Sequence, residues 1–155
     1  MSKVSLLLLV GVLASCTAPQ RPYQFSMHSE KSQAMPQLRA ALAEQGHETE
    51  YIDDQAGIIR TRWMDTGFMM GQVQGQTATV VRRYTVVLVT QPDGSLSLTL
   101  RADTKKCAQY GFEFAGEMVT GACESMNELA GPHQEELNVL GSQLQARINP
   151  GQPQA

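Results

Sequence analysis

The densest run of metal-capable side chains is His47-Glu48-Thr49-Glu50, followed by Asp53 and Asp54. Imidazole and carboxylate groups could hold a divalent cation there if they converged. The same run fits a strand, however, and on a strand His47 and Glu48 point to opposite faces. Solvated charge is therefore the reading adopted, and neither a metal nor any other cofactor is expected. The remaining histidines supply no catalytic set, because His28 lies in a polar N-terminal stretch and His133 in the first turn of a C-terminal helix. The sequence contains no Gly-x-Ser-x-Gly elbow and no phosphate-binding glycine loop. Gly71, Gly75 and the glutamines between them read as a flexible loop. No catalytic residue is assigned, and the chain is expected not to be an enzyme.

Binding chemistry is concentrated in Trp63, Phe68, Met69 and Met70. Packing is the first reading: Trp63 lies under a helix and the methionines fill the edge of the core. The functional reading is an apolar loop that inserts into a partner or a membrane surface, since methionine adapts to irregular binding surfaces. Arg82 and Arg83, adjacent in one strand, fall on opposite faces, one exposed and one beneath the loop. A strand edge beginning at His47 offers a further place for a partner strand to pair.

Cys16 ends the sequence Leu13-Ala14-Ser15-Cys16, which follows Lys3 and the apolar run Val4 to Leu13. About ten residues span only about 15 Å as a helix, half the hydrocarbon core of a bilayer. The run therefore reads as a secretory signal and not as a membrane span. The four residues resemble the lipobox of bacterial lipoproteins. That resemblance implies a diacylglycerol on the Cys16 sulfur, cleavage of residues 1–15 and acylation of the new amino terminus. One acyl chain binds a membrane marginally, whereas two or three anchor it stably. Thr17 stands where inner-membrane retention usually calls for Asp, so the same resemblance implies the periplasmic face of the outer membrane. With Cys16 taken by lipid, Cys107 and Cys123 are the pair left, and an oxidising periplasm favours a disulfide between them. Closing a loop of about fifteen residues, such a bridge is worth about 3 kcal/mol in the chain-entropy account.

Without residues 1–15 the chain has 140 residues, with 11 basic against 15 acidic side chains and a formal charge of −4. This mild acidity argues against nucleic acid, which needs a concentrated basic face. The length suits one domain with a real core.

Residues 16–32 read as a flexible tether able to reach about 50 Å, with docking of Tyr23 and Phe25 as the minor alternative. A single α+β domain is expected over 33–149, and 150–155 form a polar tail. Ala34, Leu38, Ala41 and Leu42 share one face of a helix from Ser32 or Gln33 to Gln45, with Gly46 past its end and Pro36 in its first turn. Strands are expected at His47–Ile52, Ile58–Met64, Thr77–Thr90 and through Leu96, Leu98, Leu100 and Ala102. Between them lies a glycine-rich loop at 65–76. The 107–123 stretch is either a hairpin or an irregular excursion. A closing helix runs from Pro132 to Ile148 with Leu137, Leu140, Leu144 and Ile148 as its core stripe. The layout is an antiparallel sheet of about four strands with both helices on one face.

Leu38 to Trp63 (LRAALAEQGHETEYIDDQAGIIRTRW) resembles the helix-grip domains of lipoprotein component C of the outer-membrane β-barrel assembly machinery. That family carries two such domains and a longer N-terminal segment, and it lacks the Cys107–Cys123 pair. The resemblance implies a non-catalytic accessory at the outer membrane. The function expected is a lipid-anchored periplasmic protein that binds another envelope protein. The alternative is a binder of a soluble ligand, or an inhibitor of a hydrolytic enzyme comparable to the lipoproteins that inhibit lysozyme.

Overall fold

A computed structural model describes residues 20–114, 117–126 and 132–149, with backbone only at 109–114, 117–120 and 132. The expected signal peptide, Cys16 and the 150–155 tail lie outside the described residues. The elements run β1 (Tyr23–Met27), α1 (Lys31–Glu44), β2 (Thr49–Asp53), β3 (Ile58–Thr61), β4 (Met64–Val73), β5 (Gln76–Thr90), β6 (Leu96–Phe114), β7 (Glu117–Ser125) and α2 (Pro132–Ile148). The fold is α+β, with two helices packed against an open antiparallel sheet.

The long strands β5 and β6 form the spine, in unbroken register from Ala78↔Ala108 to Thr90↔Leu96. Over one half of this ribbon, β1 flanks β6, while β3 and then β2 flank β5; over the other half, β7 pairs with β6 and β4 with β5. Among the described residues the sheet has seven strands where about four were expected: β1 and β4 come from segments read as tether and loop, and β7 from the 107–123 stretch, for which a hairpin is one of the two readings. Tyr23-Gln24-Phe25-Ser26-Met27 alternates with period two: Phe25 and Met27 are buried while Gln24 and Ser26 are exposed. What reads as tether is thus partly a strand, with Tyr23 opposite Leu100 and Met27 opposite Leu96.

The expected 65–76 loop is instead strand β4 and the turn that joins it to β5. Gln74 and Gly75 both have positive φ, and Val73 pairs directly with Gln76, which makes a two-residue hairpin turn of the type that matches strand twist. Gly67 and Gly71, also at positive φ, fall where the β4–β5 register shifts, so that β4 carries more residues than the facing stretch of β5. The 107–123 stretch is a hairpin of β6 and β7. Cys107 and Cys123 face each other across it, 4.1 Å apart at Cα, and form a disulfide.

Even-numbered positions of β5 and β6 face the helices. Tyr84, Val86, Leu88, Leu96, Leu98 and Leu100 pack there with Leu38 and Leu42 of α1 and Leu137, Leu140 and Leu144 of α2. Burying one such leucine contributes about 2 kcal/mol, so these stripes hold both helices on the sheet. Helix α1 begins at Lys31, which places Pro36 in the second turn and not the first. Pro36 is exposed, so water can reach the Ser32 carbonyl that loses its amide donor.

Candidate functional site

Odd-numbered positions of β5 and β6 form the opposite face of the sheet. Register places Val81 beside Lys105, Arg83 beside Asp103 and Thr85 beside Arg101 on this face. Trp63, in the short link between β3 and β4, lies on this face and not under a helix, which corrects the packing expected for it. The Arg83 guanidinium and the Lys105 ammonium each lie 4.5 Å from the centre of its ring. The electron-rich ring attracts both cations. Arg83 also donates from Nε to Asp103 Oδ2 at 2.9 Å. Trp63 is half-buried, with its polar neighbours around it.

Beside this group the sheet has a notch. Strand β1 pairs with β6 only up to Leu100, and β7 pairs with it only from Lys105. The chain before β1 turns away to α2, where the Arg21 N–H donates to Gln134 Oε1 at 2.7 Å and the Gln134 side-chain amide donates to the Arg21 carbonyl at 3.0 Å. A cleft of about 590 Å³ opens there, lined by Gln20, Pro22, Trp63, Arg83, Arg101 and Lys105 among others. Three cations against Asp103 give this wall an excess of positive charge in a chain that is acidic overall.

Phe68, Met69 and Met70 do not fill the core edge. They lie on β4, and Met69 is 70% exposed, Phe68 50% and Met70 41%. Phe68 sets its ring edge-on to His133, at 5.7 Å between centroids. The four residues grouped by type in the sequence are thus divided: Trp63 belongs to the cationic cleft and the other three to the β4 ribbon. The link that sequence reasoning missed is Lys105, which the β5–β6 register brings to Trp63 from more than forty positions away.

Arg82 splits from Arg83 as expected but lies beneath α2 and not beneath a loop. It is almost fully buried, bonded through Nη1 to Glu136 of α2 and to the Tyr84 hydroxyl. His47 stands edge-on to Tyr84, and burial, followed by the Arg82 charge, lowers its pKa from the usual 6.5. Its neighbours Glu48 and Glu50 do not converge with it. Among the described residues no group of three His, Cys, Asp or Glu side chains is placed to hold a metal.

No family model and no curated protein matches the sequence. Among solved structures, the chain is similar to a DUF4468 family protein from Bacteroides ovatus ATCC 8483. Identity is 7% over 90% of this chain and 93% of that one, with a TM-score of 0.46. A likeness that slight assigns no function.

Proposed function

We infer that this chain is a non-enzymatic, lipid-anchored periplasmic protein that binds another envelope protein through the β4 ribbon. The observation that carries the binding is the contiguous exposure of Phe68, Met69 and Met70 on a strand that, among the described residues, is hydrogen-bonded to β5 alone. Adjacent exposed apolar side chains cost solubility, and methionine adapts its shape to a partner. The anchoring rests on Leu13-Ala14-Ser15-Cys16, with the disulfide consistent with an oxidising compartment. The helix-packed sheet also fits a helix-grip-like accessory of outer-membrane protein assembly.

Crosslinking in intact cells of the native host, followed by mass spectrometry of the attached chains, tests this. An envelope protein should be recovered with the wild type and lost in Cys16→Ala. Recovery of a soluble enzyme alone would favour the inhibitor reading, and recovery of nothing would contradict both.

A further inference from the structure

The cleft beside Trp63 has a second property: it lies next to the proposed anchor. Gln20 and Pro22 form part of its wall, and Arg21 is held to α2 through Gln134. From Cys16 to Gln20 is four residue steps, which span at most about 14 Å when fully extended. A lipid on Cys16 therefore holds the bilayer surface within about 14 Å of the cleft wall. The groups on that wall match a membrane interface in kind. Arg83, Arg101 and Lys105 offer donors to phosphate oxygens, and Trp63 is an amphipathic ring of the type found at headgroup depth. Exposed Arg21 lies between the two wall residues Gln20 and Pro22. The mature chain carries a formal −4, so an anionic bilayer repels most of the domain and attracts this wall.

We propose that the Trp63 cleft docks on the bilayer that holds Cys16, with Arg83, Arg101 and Lys105 against the headgroup phosphates of anionic phospholipids. The exposed β4 ribbon is then held at a set orientation for its protein partner. This reading rests on lipidation of Cys16, and the test separates the two.

Trp63 is the only tryptophan in the sequence, so intrinsic fluorescence reports on this site directly. The acylated full chain, reconstituted into phosphatidylcholine vesicles with and without phosphatidylglycerol, is challenged with a lipid carrying a nitroxide on its headgroup. The expected result is at least twofold stronger quenching in the anionic vesicles, reversed by high salt. Arg101→Glu, which leaves the contacts of Trp63 with Arg83 and Lys105 intact, should remove the difference, as should Lys105→Glu. Arg39→Glu on the exposed side of α1 should leave it unchanged. Chain that floats with the vesicles while Trp63 stays unquenched would overturn the docking and leave the anchor standing. Chain that does not float at all would contradict the anchor. If inorganic phosphate without vesicles shifts the Trp63 emission as much as the anionic bilayer does, the cleft binds soluble phosphate and the membrane assignment is wrong.

Discussion

Arg21 and Gln134, far apart in the chain, exchange two hydrogen bonds in which one side-chain amide satisfies both main-chain groups of the arginine. A continued β1–β6 ladder would place Arg21 opposite Ala102; instead Arg21 bonds to α2, and the notch lies beyond the end of β1 at Tyr23.

Gln134→Leu removes that exchange. The expected result is freer motion of residues 20–22 relative to α2, seen as at least tenfold faster amide hydrogen exchange at Arg21. The cost in overall stability should be about 1 kcal/mol, the net worth of a typical hydrogen bond. Unchanged exchange at Arg21 would show that other contacts hold the segment.

The disulfide clamps β7 to the strand that carries Lys105. Replacing both Cys107 and Cys123 with Ser should lower unfolding free energy by about 3 kcal/mol, read from urea denaturation. A reductant should shift the wild type by a similar amount and the double variant not at all. Equal stability of the two in the absence of reductant would contradict a structural role.

Gly141 of α2 is set by its neighbour across the core. A methyl group there would lie 2.3 Å from two ring carbons of Tyr23, whose hydroxyl donates to Gln145 at 2.7 Å. Gly141→Ala should cost about 1–2 kcal/mol, because overpacking outweighs the roughly 1 kcal/mol that alanine gains over glycine in a helix. Combining it with Tyr23→Ala should cost less than the two changes added separately. Strict additivity would show that the ring and the methyl do not meet.

His47 gives stability a pH dependence. It sits by Tyr84, Glu135 and Glu136 with the Arg82 charge nearby, and its folded pKa is lowered, first by burial and then by Arg82. The unfolded chain therefore takes up the proton more readily, so this contribution is present above pH 6.5 and is lost as pH falls through the folded value. His47→Phe keeps an aromatic ring against Tyr84 and should flatten the fall in urea midpoint between pH 7.5 and 5. Asp93 acts in a separate, lower window. Hydrogen bonds from Ser95 lower its pKa, and that contribution is lost only as pH falls below about 3.8. An equally steep fall in the His47→Phe variant would rule out this account of the pH 5 to 7.5 range.

Much of the sheet and both helices are visible in hydrophobic spacing, because the core faces of β5, β6, α1 and α2 repeat with clean periods of two or near 3.6. Strand β1 shows the same period of two, but prolines and polar residues on either side disguise it. Strand β4 is obscured for a different reason. Register shifts around Gly67 and Gly71 interrupt the alternation that would mark a strand, and glycine-rich sequence is also what a loop contains. The cationic cleft could be read only in part. Trp63 and Arg83 are conspicuous by type, yet the approach of Lys105 to Trp63 and the presence of Gln20 in the same cleft depend on strand register and on where β1 ends, neither of which local spacing encodes. For Met69 the sequence leaves two readings, core edge and exposed apolar surface, and packing comes first because an apolar residue is more often core than surface.

The most direct test of the binding account is site-specific photo-crosslinking in intact cells of the native host. A photoreactive amino acid is placed at Met69 in one strain and at Arg39, on the opposite, helical side of the domain, in another. The β4 assignment predicts a discrete crosslinked envelope protein from position 69, none from position 39, and loss of the adduct in Cys16→Ala. Adducts from position 39 alone, or from neither position, would contradict it.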